Sequence, residues 1–276
     1  MQAALIDWSG RAGRRLPWRQ TRDPWAVLVS ELMLQQTQVS RVVPRYRTFL
    51  RRFPTPAACA AAPAGDVVRA WAGLGYNRRA VNLHRCAIAV VERHGGRLPD
   101  RLDDLLALPG IGGYTARAVL AFAFERPVCP LDVNTARPLA RALAVADQAG
   151  ADALVPPTPS RAWAWNQALM DLGALVCTRR APACGACPWR ERCRWRAAGH
   201  PAPDPAAPAG RQSRFSGSDR QGRGRLVEAL RAAPVARQDV PAAAGWPDDP
   251  ERAGRVAAAL VADGLAAERD GSLTLP

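Results

Sequence analysis

Four cysteines lie within seventeen residues, in the spacing Cys177-x6-Cys184-x2-Cys187-x5-Cys193. Thiolates this close together are typical ligands of Zn²⁺ or of an iron–sulfur cluster. Structural zinc sites usually have two C-x2-C pairs, whereas this loop has one close pair flanked by two single cysteines. We therefore predict a [4Fe-4S] cluster on these residues, with zinc as the alternative. The other three cysteines stand singly in apolar or helical surroundings, and we expect them to be small buried side chains: Cys59, Cys86 and Cys129.

The charge of the chain is strongly positive. Its 276 residues include 38 basic against 24 acidic ones, a net charge of +14. Such an excess usually indicates a polyanionic partner such as nucleic acid. All 38 basic residues are arginine and lysine is absent, so a mechanism that forms a Schiff base on a lysine amine is excluded.

The sequence contains no recognisable targeting segment. The first residues lack a charged region followed by an apolar stretch, and no segment approaches the roughly eighteen apolar residues that a transmembrane helix needs. We therefore expect a cytoplasmic protein with no membrane partner, and we expect it to be a monomer.

Helical patterns broken by proline and glycine fill residues 1 to about 196, which predicts an all-α domain. The helix that begins after Asp23-Pro24 is apolar nearly all round and should be buried. Its predicted range is 25–36. Further helices are predicted at about 38–52, 64–72, 78–94, 101–107, 114–124, 134–146 and 160–176.

The composition changes after this domain. Residues 197–220 are rich in alanine, proline, glycine and serine, which is typical of a linker. Amphipathic helices at 224–232 and 251–263, followed by a hairpin around Asp270-Gly271, predict a small winged-helix module at 221–276.

The segment Leu108-Pro109-Gly110-Ile111-Gly112-Gly113 lies between two predicted helices and resembles a helix-hairpin-helix turn. Glycines permit positive φ and let the amides of the next helix approach a DNA phosphate. Leu108, Gly110 and Gly112 are therefore candidate DNA contacts. An ordinary glycine-rich turn between helices is the alternative.

A hairpin about seventy residues before such a cysteine loop, in a basic helical chain, resembles the endonuclease III superfamily of DNA glycosylases. Four segments resemble its MutY adenine glycosylases in order and spacing: Ser30–Val39, Gly73–Tyr76, Leu131–Asn134 and Met170–Cys177. The resemblance covers residues 1 to about 196. It implies two helical subdomains, one at about 22–127 and a cluster subdomain of 1–21 with 128–196. It also implies excision of adenine mispaired with 8-oxoguanine or guanine in double-stranded DNA.

Two carboxylates are the main candidates for catalysis. Glu31 lies in the apolar helix, where burial raises the pKa of a carboxyl group, although without a family context a structural glutamate paired with arginine is the favoured interpretation. The resemblance implies that Glu31 protonates the adenine. Asp132 precedes a predicted helix, where capping is its simplest role. The resemblance implies that it stabilises positive charge on the deoxyribose, with Asn134 as a further catalytic residue.

Residue 114, directly after the hairpin glycines, is tyrosine. The lyases of the superfamily have a lysine there, so the resemblance implies that Tyr114 belongs to a glycosylase that leaves an intact abasic site. It further implies that Gln36 and Tyr76 intercalate where the base leaves the stack. By the same resemblance, Arg19 and Gln167 line the adenine pocket.

The sequence departs from the family in three places. No glutamate-rich Nudix box follows the linker, Asn77 replaces an aromatic residue, and Pro138 replaces an aliphatic one. Since a proline deep in a helix costs about 3 kcal/mol, the helix containing Pro138 should begin close to Asn134. Two alternatives stay open: an endonuclease III-like glycosylase for oxidised pyrimidines, and a non-catalytic iron–sulfur protein that binds DNA.

Overall fold

Helices dominate the computed structural model, which describes residues 1–206 and 214–276. The prediction of an all-α domain is confirmed, because every strand of the described residues begins at Val235 or later. None of the described helices is long and apolar enough to cross a membrane. The helices are α1 (Gln2–Ala12), α2 (Pro24–Leu34), α3 (Val39–Arg52), α4 (Pro56–Ala60), α5 (Ala64–Ala70), α6 (Arg78–His94), α7 (Leu102–Leu106), α8 (Gly113–Phe122), α9 (Val133–Leu143), α10 (Gln148–Ala153), α11 (Pro159–Asp171), α12 (Arg194–Ala197), α13 (Asp219–Ala232), α14 (Val240–Ala244) and α15 (Pro250–Ala262).

The helix predicted after Asp23-Pro24 begins at Pro24 because Asp23 caps it. The Asp23 carboxylate accepts hydrogen bonds from the backbone N–H groups of Trp25 at 3.1 Å and Ala26 at 3.3 Å. The other predicted helices are also present with slightly different ends. The sequence analysis missed α1 and four helices of only four to six residues, α4, α10, α12 and α14. So short a segment gives little periodic signal.

Contacts divide the chain into two compact units. The first comprises residues 1–28 and 100–106 and those from 112 to 206. Its core is built around two tryptophans, Trp165 and Trp189, whose ring centroids are 5.7 Å apart. Leu5 of α1, Leu139 of α9 and Leu169 of α11 belong to the same buried cluster.

The second unit comprises residues 29–99, 107–111 and the described residues from 214 to 276. This grouping differs from the expected boundaries, because the C-terminal residues pack with α5 and α6. Arg231 on α13 donates hydrogen bonds to the Val68 carbonyl at 3.2 Å and to Asn77 Oδ1 at 2.8 Å. The N–H of Gly65 donates to the Pro276 carbonyl at 2.7 Å. The predicted linker includes residues 207–213, which lie outside the described residues.

The C-terminal residues have the order α13, β1 (Val235–Ala236), α14, α15, β2 (Ala267–Arg269), β3 (Ser272–Thr274). The strands form an antiparallel sheet in the order β1-β3-β2. This is the helix and strand order of a winged-helix module. The predicted hairpin is present: Asp270 and Gly271 connect β2 to β3 with φ of 47° and 73°. Two positive φ angles are those of a type I′ turn.

Candidate active site and cysteine loop

Glu31 lies on α2 in a stretch that is buried throughout. Every residue from 25 to 33 is buried, and Glu31 is only 5% exposed. A carboxyl group in such surroundings is costly to ionise unless it is paired or hydrogen-bonded. Its position therefore suits a buried acid, and its role as a proton donor stays a prediction.

The two residues predicted to intercalate lie on exposed loops of the second unit. Gln36 follows α2 with φ 54°, and Tyr76 precedes α6 with φ 46°. Non-glycine residues rarely adopt these left-handed angles, and such strain concentrates at functional sites. The Tyr76 side chain is at the surface, since the residue is 45% exposed.

Arg79, in the first turn of α6, connects these two loops. Its guanidinium donates hydrogen bonds of 2.6, 3.0 and 2.6 Å to carbonyl oxygens that precede Gln36: those of Leu32, Met33 and Gln35. It also donates bonds of 3.2 and 3.0 Å to carbonyl oxygens that precede Tyr76: those of Leu74 and Gly75. The same group lies 5.6 Å from the centre of the Tyr76 ring. Arg79 thus fixes the backbone on which both predicted intercalating residues stand.

Arg79 is buried without a carboxylate partner among the described residues. Burial lowers its pKa to about 10, so the guanidinium stays charged at neutral pH. The sequence analysis did not identify this residue. A signal was present, because Arg79 lies four residues before Leu83 on the buried face of α6, where an apolar side chain is expected.

In the turn between α7 and α8, one of the two glycines predicted to contact DNA, Gly110, has the positive φ expected of the hairpin. Gly110 has φ 76°, and a Cβ there would lie 2.6 Å from Asn82 Cβ, so glycine is required. Gly112 differs from the expectation: its φ of −98° is open to any residue, and it caps α8. Apart from the adjoining residues and the backbone of α8, no described atom lies within 4 Å of a Cβ built on Gly112 or Gly113. The start of α8 is therefore accessible to a phosphate, whereas the Leu108 side chain is only 3% exposed.

Tyr114 lies in the first turn of α8 and is half-buried. One turn later, Arg117 forms an ion pair of 3.3 Å with Asp152. Part of the positive charge near this helix is therefore neutralised inside the protein.

Asp132 is the N-cap of α9, as its position in the sequence predicts. Its Oδ1 accepts hydrogen bonds from the backbone N–H groups of Asn134 at 2.9 Å and Thr135 at 2.8 Å. Its Oδ2 accepts from the Asn134 side-chain amide at 3.1 Å. The Thr135 hydroxyl accepts from the Asp132 N–H at 2.8 Å, which completes a capping box. The first N–H groups of α9 and the Asn134 side chain therefore hold the Asp132 carboxylate in place.

Gly173 lies against the backbone of α9 near Asn134. A Cβ on Gly173 would be 2.1 Å from the Asn134 carbonyl oxygen, so only glycine permits this approach. Pro138 has no N–H to donate to that carbonyl, and α9 begins at Val133, close to the predicted start. Arg137, a residue not identified from the sequence, donates to four acceptors at 3.1, 3.1, 2.8 and 2.5 Å: the Val133 carbonyl, Asn134 Oδ1, the Gly173 carbonyl and the Cys177 carbonyl.

Arg19 forms a two-point ion pair with Asp171, with N–O distances of 2.7 and 2.9 Å. Arg14 adds a third bond to Asp171 at 2.7 Å. Burial acts to raise the pKa of Asp171, but the hydrogen bonds and charges of Arg19 and Arg14 outweigh it, and the pKa is lowered. Gln167 lies on α11 and is 7% exposed. Contact of Arg19 and Gln167 with adenine stays a prediction.

The four cysteines of the loop line one cavity, together with Arg141, Trp189 and Trp195. No three His, Cys, Asp or Glu side chains within residues 1–206 and 214–276 converge on a position for a single ion. Four thiols around a cavity suit an iron–sulfur cluster, whose own atoms fill the space between them. Burial raises the pKa of the Cys187 thiol to about 11, so its thiolate form needs the positive charge of a metal centre.

Arg141 forms part of the cavity wall and is 2% exposed. It donates to Cys177 Sγ at 3.5 Å, pairs with Asp204 at 2.5 Å and lies 4.3 Å from the centre of the Trp195 ring. The sequence analysis missed this contact to a predicted cluster ligand. The three other cysteines are buried as expected, and burial raises the pKa of each to about 12: Cys59, Cys86 and Cys129.

Two family models match the chain. Residues 29–154 match the HhH-GPD superfamily of base excision DNA repair proteins, and residues 177–193 match the iron–sulfur binding domain of endonuclease III. The second match begins and ends at the outer cysteines of the loop.

Curated proteins and a solved structure are also similar. The chain is 43% identical to the adenine DNA glycosylase of Mycobacterium tuberculosis, over 99% of this chain and 92% of that protein. It is 37% identical to the thymine-DNA glycosylase of Aeropyrum pernix, over 70% of this chain and 92% of that protein. The structure of a thermostable thymine-DNA glycosylase matches with a TM-score of 0.67 at 28% identity, over 71% of this chain and 95% of the other.

Proposed function

The chain belongs to the HhH-GPD superfamily of base excision DNA repair proteins, and on that premise we propose that this DNA N-glycosylase excises adenine mispaired with 8-oxoguanine or guanine. The main observation behind the proposal is the 43% identity to an adenine DNA glycosylase over 99% of the chain. A match of that extent includes the C-terminal residues as well as the helical domain. The products are free adenine and an abasic site in an intact strand.

In this mechanism, Glu31 is the general acid. It donates a proton to the imidazole ring of the flipped adenine, and the electron pair of the glycosidic bond then leaves with the base. The position of Glu31 supports this role, because it is a buried carboxyl group on a helix segment that is otherwise apolar except for Ser30.

Asp132 stabilises the positive charge that develops on the deoxyribose as the bond breaks. Its carboxylate is fixed by the N–H groups of α9 and by Asn134, so no reorganisation is needed when the charge appears. Water then adds its hydroxyl to C1′, and the proton that it gives up restores the acid form of Glu31. Because residue 114 is tyrosine and the chain has no lysine, no Schiff base forms and the strand is not cleaved.

Gln36 and Tyr76 occupy the space in the duplex that the flipped adenine leaves. The exposure of both residues supports this assignment, and so does the fixed backbone beneath them. Arg19 and Gln167 then contact the extruded base. Arg19 is held by Asp171 and the Arg14 carbonyl through three of its five N–H groups, and neither bonds to its Nε–H.

The [4Fe-4S] cluster is held by the four cysteines of the loop. When bound, it supplies a redox-active centre and a rigid cross-link for the segment from Cys177 to Cys193. Exposed arginines of this segment contact DNA phosphates in our proposal: Arg179, Arg180, Arg190 and Arg192. None of the cysteines takes part in bond breaking.

A second candidate function is excision of thymine from a mismatch. The 37% identity to a thymine-DNA glycosylase favours it, but that similarity covers 70% of the chain. The similarity to the adenine enzyme also includes most of the remaining residues. We therefore place adenine first.

Single-turnover base release separates these candidates. The substrates are duplexes with adenine opposite 8-oxoguanine, guanine, cytosine or thymine, together with duplexes that contain a G·T mismatch or thymine glycol. We expect release of adenine, fastest opposite 8-oxoguanine or guanine, with strand breaks only after heat or base. Release of thymine without adenine, or a covalent adduct trapped by borohydride, contradicts the proposal.

A further inference from the structure

The exposed face of helix α3 carries arginine and neutral residues and no acidic residue. Its buried side consists of Val42, Tyr46 and Phe49, which are 0–4% exposed. All five of its arginines are exposed, and the helix contains no acidic residue: Arg41, Arg45, Arg47, Arg51 and Arg52.

Most of this charge is not neutralised by the described part of the protein. Arg52 pairs with Asp66 at 2.7 Å, and Arg51 donates to the neutral Thr48 hydroxyl at 3.1 Å. Among the described residues, no carboxylate forms an ion pair with Arg41, Arg45 or Arg47. A solvated helix face normally mixes both signs of charge, so this imbalance indicates a polyanionic ligand.

The C-terminal module provides an internal comparison. Residues 214–276 contain nine arginines and nine acidic residues, whereas residues 1–206 contain 28 and 15. Within residues 214–276, arginines such as Arg223, Arg252 and Arg255 form ion pairs with acidic residues of the same range. Arginine is therefore common throughout the chain, but its charge is left unbalanced only in particular segments.

The basic face begins beside both predicted intercalating residues. Helix α3 starts three residues after Gln36, and the Arg41 N–H bonds to the Gln38 carbonyl at 3.0 Å. Arg45 Nη2 lies 3.3 Å from a Cβ built on Gly73, three residues before Tyr76. A helix of 14 residues is about 20 Å long, which corresponds to roughly six base pairs of duplex.

We propose that the exposed face of α3, formed by Arg41, Arg45, Arg47 and Arg51, binds the phosphate backbone of the duplex beyond the base pair being probed. It adds an electrostatic contact outside the hairpin and the cysteine loop. The location of the lesion relative to this face rests on the proposed roles of Gln36 and Tyr76, whereas the backbone contact itself does not depend on which base is excised.

The test compares two triple variants with the same change in net charge. One is Arg41→Gln/Arg45→Gln/Arg47→Gln, and the matched control in the neutral module is Arg237→Gln/Arg255→Gln/Arg269→Gln. Binding of each full-length protein to a fluorescent duplex is measured by anisotropy over a range of NaCl concentrations. We expect the α3 variant to lower the slope of log K against log [NaCl] by about 2 to 3, since each lost phosphate contact accounts for about 0.9. The control should keep the wild-type slope.

If the α3 variant keeps the wild-type slope, the proposal is wrong. This is the result expected if the face binds an acidic protein and makes no contact with DNA. Equal losses in the two variants also overturn it, because bulk charge would then explain both. A double variant, Arg47→Gln/Arg51→Gln, keeps Arg45 and its contact with Gly73. It should lower the slope by about 1 to 2. It replaces the triple variant if circular dichroism shows that the triple variant is unstable. Base release by the wild type is measured on the same duplexes. If the wild type releases no base, the proposed function is wrong. The comparison of the salt slopes would still decide whether α3 binds the duplex.

Discussion

Glu31 and Asp132, the two carboxylates proposed to act on the glycosidic bond, belong to different compact units and have opposite surroundings. Glu31, in the second unit, lies in a buried helix segment that is otherwise apolar except for Ser30. Asp132, in the first unit, is half-exposed and accepts three hydrogen bonds from Asn134 and Thr135 through N–H groups. The two carboxyl groups therefore differ in their exposure to solvent and in the polarity of their surroundings. The difference teaches that similar side chains obtain different chemistry from their local surroundings.

The two units differ in how their enclosed arginines are paired. In the first unit, the half-buried Arg19 and the buried Arg141 pair with the carboxylates of Asp171 and Asp204, while the buried Arg137 bonds to backbone carbonyl groups. In the second unit, Arg79 bonds to backbone carbonyl groups and to the Thr37 hydroxyl. The first unit therefore combines ion pairs with arginine–carbonyl bonds, whereas Arg79 holds two loops of the second unit without a carboxylate partner among the described residues.

The largest expected effect comes from removing the acid. In Glu31→Gln, the side chain keeps its size but cannot donate a carboxyl proton, so single-turnover release of adenine should fall by about 10²- to 10⁴-fold. Duplex binding measured by anisotropy should stay close to that of the wild type. The control is Glu125→Gln, which removes a partly exposed carboxylate paired with Arg22. Base release within tenfold of the wild type by Glu31→Gln would end the assignment of Glu31 as the acid.

A somewhat smaller loss is expected for the charge stabiliser. Asparagine caps helices about as well as aspartate, so Asp132→Asn should fold normally while base release falls by about 10²- to 10³-fold. Asp147→Asn is the matched control, since Asp147 caps α10 in the same unit. If both variants kept full activity, Asp132 would serve only as a helix cap. The different surroundings of Glu31 and Asp132 would then not correspond to two catalytic roles.

Arg79→Gln tests how the second unit positions its loops. Glutamine has too few donors to reach the carbonyl groups of both loops, and misplacement of Gln36 and Tyr76 should slow base release by up to about 10²-fold. The fluorescence of 2-aminopurine placed in the duplex reports base flipping directly. Arg78→Gln is the neighbouring control, because Arg78 is exposed and pairs with Asp263. A lower melting temperature with an unchanged flipping signal would mean that Arg79 is only structural.

The smallest effect on the chemical step is expected in the cysteine loop. Cys187→Ser should lower the iron content and the visible absorption of the cluster. It should also weaken duplex binding by roughly tenfold, the effect of losing one or two phosphate contacts. At saturating enzyme, base release should fall less than in Asp132→Asn. Cys129→Ala, which removes a buried thiol outside the loop, should keep the iron. A Cys187→Ser protein that retains its full iron content would contradict the ligand assignment.

Much of the fold could be predicted because its signals are local. Asp23-Pro24 gave the start of α2, Asp132 gave the start of α9, and Asp270-Gly271 gave the terminal hairpin. Each depends on residues only a few positions apart in the chain. The short helices α4 and α10 lacked enough turns to show a period.

The supporting residues could not be predicted in this way, because their partners are distant in the sequence. Arg79 bonds to groups more than forty positions away on the Gln36 side, and Arg19 pairs with a residue 152 positions away. The grouping of the C-terminal module with α5 and α6 likewise depends on Arg231 and its acceptors, Val68 and Asn77. A sequence pattern gives no distance between such residues.

By itself, the sequence determined the cysteine spacing, the absence of lysine, the hairpin glycines and the positions of Glu31 and Asp132. These features fix the available chemistry, because it depends on residue type and on short spacings. Only the tertiary structure decided that Arg79 binds both exposed loops, that Arg19 is held by Asp171, and that the charge of α3 is left unbalanced while that of the C-terminal module is neutralised. These properties arise from contacts between distant segments, where burial and hydrogen bonding determine which charges remain available to a ligand.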